Sequence, residues 1–333
     1  MNRVSFDELH GLLLRVLRAH GFEEERAQLC ARLFAETSRD GVYSHGLNRF
    51  PRFIEQVRQG VVDVHARPEL VSRLGAVERW NGRMGPGNLN AHASMNRAIS
   101  LAREHGVGCV ALAHTNHWMR GGTYGWQAAE AGLIGICWTN TMPNLPPWGA
   151  KDARLGNNPV IIAVPRPGAP VVLDMAMSQF SFGALESYRL RGARLPVDGG
   201  FDGEGQLTRD PGAIEASRRP LPIGYWKGSG LALVLDLMAA LLSGGLSTAE
   251  IPKDNIREAG LSQVFLAFDL PAIDQGGTRE AVVDQVLQSL RTGPGGADGV
   301  RYPGEQTLAI RKENLAQGIP VNPEVWAQVQ SFL

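Results

Sequence analysis

The sequence predicts a mixed α/β (α+β) protein opening on helices, and three observations predict it. Segments with helical apolar spacing alternate with short apolar runs of strand character along most of the chain. Residues 1–60 hold only the helical kind. The fingerprint of the doubly wound dinucleotide fold, Gly-x-Gly-x-x-Gly between a strand and a helix, is absent despite 40 glycines. We therefore expect one unit over 1–333, with a helical part at 1–60 and a mixed α/β part at 61–333.

Ser5-Phe6-Asp7-Glu8 is a capping box, and Phe6, Leu9, Leu13, Val16 and Leu17 give the first helix an apolar stripe that ends near His20-Gly21. A second helix runs from about Glu23 to Thr37, its acidic start complementing the helix dipole. Pro51 fits a first helical turn, so a third helix starts between Leu47 and Phe50, with Phe53, Ile54 and Val57 on one face. Glu69 to Trp80 reads as a strand. Asn88 to His105 reads as a helix closed by Gly106. Val107 to Ala113 and Leu133 to Thr139 read as buried strands around a helix near Tyr124 to Ala131. Val160 to Val164, Val171 to Asp174 and Val264 to Asp269 continue the strands. Leu231 to Leu242 reads as a core helix, and Ala281 to Leu290 and Glu324 to Phe332 as late helices. Arg191 to Pro222, rich in Gly, Pro and Asp, is a long excursion, and Thr292 to Gly299 a surface loop.

Composition narrows the function. Thirty-three basic and 33 acidic side chains cancel, with no basic stripe for nucleic acid. The N-terminus has no apolar signal core, and Leu231 to Leu242 is too short to span a bilayer and contains Asp236. We expect a cytoplasmic protein with no membrane contact. Cys30, Cys109 and Cys137 are far apart and form no Cys-x-x-Cys, so they read as small core residues. His114 and His117 lack an accompanying carboxylate, and no metal site is expected.

Chemistry concentrates in Asp40-Gly41-Val42-Tyr43-Ser44-His45-Gly46-Leu47-Asn48-Arg49-Phe50-Pro51. His45 can give a proton to a carbonyl oxygen, and Arg49 can grip a carboxylate through two parallel hydrogen bonds. The pair suits reduction of a 2-keto acid or oxidation of a 2-hydroxy acid. After a buried strand, Asn116, His117 and Arg120 are placed to meet substrate oxygens. For a nucleotide, Gly85-Pro86-Gly87-Asn88-Leu89-Asn90 is a poor phosphate loop, since Pro86 lacks a donor and Asn90 replaces a glycine. Trp226-Lys227-Gly228-Ser229-Gly230 offers amides, a cation and an aromatic face at a helix start, and reads equally well as a glycine-rich helix entry with a surface lysine. Arg218-Arg219 reads as a solvated loop pair, with a 2′-phosphate contact as the alternative.

Asp40 to Gly46, Asn116-His117, Gly156-Asn157-Asn158-Pro159, Asp174-Met175-Ala176 and Lys227-Gly228 together resemble the malate/L-lactate dehydrogenase family, whose fold is not Rossmann. The match runs from the first helix to the C-terminus. It implies a mixed sheet with N-terminal helices and His45 as proton donor. It implies cofactor contacts at Pro170, Val171, Val172, Leu173, Asp174, Met175 and Ala176, at Trp226 and Lys227, and at Gly304, Glu305 and Gln306. It also implies a homodimer holding NAD, or NADP, near the subunit interface. With Ser44 among the substrate contacts, the expected activity is NAD(P)H-dependent reduction of a sugar-derived 2-keto acid. Malate, lactate, sulfolactate or ureidoglycolate are alternative substrates, and a catalytically silent sugar-acid binding protein is the alternative class. Asn157 stands where the family usually has Thr, and Glu305-Gln306 where a His-Glu pair is expected, which leaves NADH against NADPH open.

Overall fold

The computed structural model describes residues 2–254, 257–274, 276–291 and 300–333. The N-terminal part runs β1 (Asn2–Val4), α1 (Phe6–Ala19), α2 (Glu24–Arg39) and α3 (Phe50–Arg58). Ser5 caps α1 by accepting from the Glu8 amide at 3.1 Å. The helices bury Leu9, Leu13 and Leu17 with Phe34, Phe50 and Phe53, and the Phe34 and Phe50 rings meet edge to face at 5.1 Å.

The middle of the chain runs β2 (Glu69–Leu74), β3 (Val77–Asn81), α4 (Gly87–His105), β4 (Val107–Asn116), α5 (Gly122–Glu130), β5 (Ile134–Thr139), β6 (Val160–Val164) and β7 (Val171–Met175). Glu69 to Trp80, expected as one strand, is thus a hairpin, because Gly75 turns the chain at φ 57°. Gly106 closes α4 at φ 82°. That helix lies so close on β4 that a Cβ at Gly108 would come within 2.1 Å of the Ala98 carbonyl oxygen.

The excursion, expected from Arg191 to Pro222, starts earlier, at Ser178, and runs through α6 (Phe182–Leu190), β8 (Gly200–Phe201), β9 (Leu207–Thr208) and α7 (Pro211–Ser217). It is ordered around its own small core of Leu185, Leu195 and Ile214, and it leaves and rejoins the body through adjacent residues. Ser178 is bridged to Pro222, and the Gln179 amide donates to the Leu221 carbonyl at 2.7 Å.

The chain ends with α8 (Trp226–Ser243), β10 (Ala259–Phe268), α9 (Leu270–Ile273), α10 (Arg279–Arg291), α11 (Glu305–Gln317), β11 (Ile319–Val321) and α12 (Pro323–Gln330). Residues 292–299, expected as a surface loop, lie outside the described residues. The main sheet has the order β2-β3-β4-β10-β5-β6-β7, and only β3 and β4 are parallel. Such a sheet offers no crevice between parallel strands for a dinucleotide, so the non-Rossmann expectation holds. β11 pairs with β1, which draws the two ends of the chain together.

α8 corrects an expectation. It is not a core helix: Ala232, Leu235 and Ala239 pack on the sheet, while Leu231, Leu237 and Leu241 stand 42%, 48% and 71% exposed. By length and apolarity it passes for a membrane span. Its buried Asp236, however, accepts from Asn140 Nδ2 at 3.0 Å and from the Thr248 amide at 2.8 Å, which suits a helix seated on a sheet. The three cysteines are free and buried, as expected, and burial pushes the Cys30 thiol up to about 12.

Candidate active site

The loop after α2 is built by close contact. A Cβ at Gly46 would sit 2.2 Å from Ser38 Oγ, and that oxygen accepts from the Leu47 amide at 2.8 Å. Pressed onto α2, the chain makes two successive 3₁₀ turns, Tyr43–His45 and Leu47–Arg49, before α3. His45 emerges on a cavity of about 600 Å³ lined also by Ser44, His117, Arg120, Asp174 and Gly304.

Ser44 Oγ lies 3.0 Å from His45 Nδ1, and the His117 ring stacks on the His45 ring at 5.8 Å and 19°. His117 Nδ1 accepts from the Met119 amide at 3.0 Å, so the neutral ring carries its proton on Nε2. Burial, then the charges of Arg49 and Arg120, holds His45 down at about 4. Burial, then Arg49, His45 and Arg52, holds His117 well below the ordinary histidine value. Without a ligand, the site keeps both rings neutral at about pH 7.

Asp40, at the C-cap of α2, is buried under three arginines. Its Oδ1 accepts from Arg39 Nε at 2.9 Å and Arg311 Nε at 2.7 Å, and its Oδ2 from Arg120 Nη1 and Arg311 Nη2, both at 2.7 Å. Burial would raise this carboxyl, but the bonds from Arg311 with the charges of Arg120 and Arg39 hold it down at about 2. Asp174, at the end of β7, accepts from the Gly122 amide at 2.8 Å. Burial raises it against the pull of Arg120 and that amide.

Two expected substrate contacts are absent from the cavity wall. Arg49 stays close enough for its charge to depress His45 and His117, and its Nη2 reaches Glu258 Oε2 at 3.4 Å, which Arg52 shares at 3.2 Å. Burial, then the charge of Arg52, lowers Arg49 to about 10. Asn116 gives its amide to the carbonyls of Met84 (2.7 Å), Gly85 (3.0 Å) and Val61 (3.3 Å), so it braces the loops before α4 instead of facing the cavity.

The cofactor residues divide similarly. Val172, Leu173, Asp174, Ala176 and Gly304 line the cavity, whereas Val171 and Met175 do not. Pro170 borders a second cavity of about 310 Å³, and Trp126 belongs to both walls. Gly304 has φ 95°, and a Cβ there would press the Val172 amide nitrogen at 3.1 Å. Glu305 pairs with Arg291, and Gln306 accepts from Arg301 Nη1 at 2.9 Å, both off the cavity wall. Trp226 and Lys227 stand exposed at the start of α8, and a single chain does not bring them to the cavity. Of the Arg218-Arg219 pair, Arg219 Nη2 is engaged by the carbonyls of Asp202 and Gly203.

Sequence reasoning missed Trp126, Ser181 and Tyr302 in the cavity wall. Ser181, the N-cap of α6, carried a readable signal; the other two carried none. Among the described residues no group of three His, Cys, Asp or Glu side chains could hold a metal.

The model of the malate/L-lactate dehydrogenase family matches residues 4–330. The chain belongs to this family. It is an oxidoreductase acting on a CH–OH group with a nicotinamide cofactor. A 2,3-diketo-L-gulonate reductase of Salmonella paratyphi A is 50% identical over 333 residues, covering 99% of this chain and 100% of the relative. Among solved structures, the sulfolactate dehydrogenase of Methanocaldococcus jannaschii aligns with a TM-score of 0.90 at 27% identity, over 99% of this chain and 96% of that one. The malate dehydrogenase of Pyrococcus horikoshii OT3 aligns with a TM-score of 0.89 at 27% identity, over 99% and 94%.

Proposed function

We propose that this oxidoreductase reduces 2,3-diketo-L-gulonate at C2, giving 3-dehydro-L-gulonate. The observation that carries the reading is His45 at the cavity wall, tied to Ser44 and stacked on His117, with the guanidiniums of Arg120, in that wall, and Arg49, outside it, near enough to depress the ring. A carboxylate beside a ketone is the ligand such a field attracts. The 50% identity to a 2,3-diketo-L-gulonate reductase favours the sugar acid over malate or sulfolactate, whose named enzymes are 27% identical.

The cavity fits a nicotinamide nucleotide. Trp126 lines both the cavity of about 600 Å³ and the one of about 310 Å³, and Gly304 leaves room against the Val172 amide that a side chain would crowd. Val172, Leu173, Asp174, Ala176 and Gly304 would hold the group. When bound, NADH or NADPH supplies the hydride.

The chain does the rest. The incoming carboxylate offsets Arg49 and Arg120, so His45 takes up a proton as the substrate enters. Ser44 fixes Nδ1, and His45 gives its proton from Nε2 to the developing alkoxide. His117 donates from Nε2 to a neighbouring oxygen.

We further propose a cytoplasmic homodimer. A second copy covering the exposed face of α8 would bury Leu231, Leu237 and Leu241, and would bring Trp226 and Lys227 to the partner's site. Leu241→Asp then halves the mass seen in sedimentation velocity; an unchanged mass refutes this contact.

The activity is tested by steady-state oxidation of NADH and of NADPH with 2,3-diketo-L-gulonate, pyruvate and oxaloacetate. The sugar acid should have the highest kcat/KM. Turnover only with pyruvate or oxaloacetate would overturn the substrate, and sugar-acid binding with no cofactor oxidation would make the protein a silent binder.

A further inference from the structure

Gly183, in the first turn of α6, is a glycine that its own backbone does not call for. It sits in a regular helical turn behind the Ser181 cap, outside the left-handed region, and helices ordinarily favour alanine over glycine. What the missing side chain leaves is space for Ser44. A Cβ at Gly183 would come 3.0 Å from both Cβ and Oγ of Ser44, where contacts between carbon atoms ordinarily lie at about 3.5–4.0 Å. Apart from α6 itself, Ser44 is the one described residue within 4 Å of that point.

Ser44 has little else to hold it. It is exposed in its 3₁₀ turn, and among the described residues its hydroxyl makes one hydrogen bond, with His45 Nδ1 at 3.0 Å. An unbraced serine side chain samples three staggered rotamers. The bare backbone at Gly183 lies against this side chain and leaves it less room to turn.

α6 can serve as a wall because it is anchored away from the site. Leu185 is buried with Leu195 and Ile214 in the core of the excursion, and the Phe180 and Tyr188 rings meet edge to face at 6.1 Å. Ser181 fixes the start of the helix by accepting from the Ala184 amide at 3.1 Å, and it lines the same cavity as Ser44 and His45. The wall against Ser44 is thus held by a different core from the one that holds the loop after α2.

We propose that Gly183 is a positioning residue for proton transfer: the first turn of α6, pressed close at Gly183, keeps the Ser44 hydroxyl on Nδ1 of His45 and so keeps Nε2 turned to the substrate. This rests on the reading of His45 as proton donor given above. A methyl group at Gly183 leaves two ways out. Either the hydroxyl turns off Nδ1, or the loop backs away and takes His45 with it.

A double-mutant cycle tests it. Gly183→Ala should lower kcat for the keto acid about tenfold, as Ser44→Ala does, with both KM values and the number of cofactor sites per chain unchanged. The double variant should turn over no more slowly than Ser44→Ala alone, because Gly183 acts through Ser44. Losses that multiply, or a kcat unmoved by Gly183→Ala, overturn the proposal. Glu186→Ala, at an exposed position of the same helix, should leave kcat unchanged; a loss equal to that of Gly183→Ala would show a general effect of α6 and overturns it as well. The imidazole nitrogen resonances of His45 in the ligand-free protein give a readout that needs no substrate. Ser44→Ala should displace the Nδ1 resonance, and Gly183→Ala must displace it in the same direction. A resonance that Gly183→Ala leaves in place sinks the assignment whichever keto acid is turned over. Displacement in both variants with no keto acid reduced would uphold the brace and fail the activity alone.

Discussion

Raising the pH should slow the reductive direction steeply while leaving the oxidative one level. His45 sits at about 4 against an ordinary value of 6.5, a shift that corresponds to about 3 kcal/mol against charging the ring. At about pH 7 roughly one ligand-free molecule in a thousand then carries the imidazolium. Reductive kcat/KM, which reports the free site, should fall about tenfold per unit between about pH 5 and pH 8. In the proposed mechanism the oxidative reaction uses the neutral ring as base, which is present throughout that window, so its profile should be flat. Arg49→Gln removes one of the two depressing cations and should move the reductive limb upward by about one unit or more. The assay is kcat/KM against pH in both directions for wild type and variant. A reductive profile flat across the window, or a limb near 6.5 that the variant leaves in place, would refute the claim that burial and two arginines govern this histidine.

His45→Gln should lower kcat by roughly 10²–10⁴-fold, and Ser44→Ala, which only frees Nδ1, by about tenfold; single-turnover rates at saturating substrate check both. Acid should destabilise the protein through its buried histidines. His45 and His92, both at about 4, and the lower His117 must charge on unfolding, so stability holds above about pH 6.5 and is lost as pH falls toward 4, visible as a dropping thermal midpoint. A midpoint level over that range would show the three rings are not buried neutral. Asn116→Ala removes three bonds to backbone carbonyls and should lower the unfolding free energy by about 2–3 kcal/mol with keto-acid KM unchanged. The reverse pattern in urea titration and kinetics would return Asn116 to the substrate. Gly108→Ala should also destabilise, by about 1–3 kcal/mol, since α4 must lift from β4 to admit the methyl.

Local grammar made much of this legible. Ser5 announced α1, Gly106 closed α4, and Pro51 placed the start of α3 within a few residues. What depends on distant partners was not. Nothing in Ala259–Phe268 says that it slots between β4 and β5, because strand order is settled by packing across the whole sheet. Gly75-Ala76 is too weak a turn signal to split two apolar runs. In the site, linear spacing put Arg49 near His45, and there its charge does act on the ring, but its hydrogen bond goes to Glu258, a partner far along the chain that the spacing could not show. Arg120 entered as one candidate among several, since its single bond, to a carboxylate 80 residues earlier, leaves no trace in the sequence.

The excursion between Ser178 and Pro222 has a consequence for how such an enzyme changes over time. It contributes Ser181 to the cavity wall, sets Gly183 against Ser44, and carries its own small core, yet both of its ends attach at one bridged pair. A segment whose two ends meet at one bridged pair can change in length or sequence while the main sheet keeps its register. A hybrid carrying a relative's excursion in place of Ser178 to Pro222 should therefore still build the same sheet and, through the position of Ser181 in the cavity wall, change which keto acids it prefers.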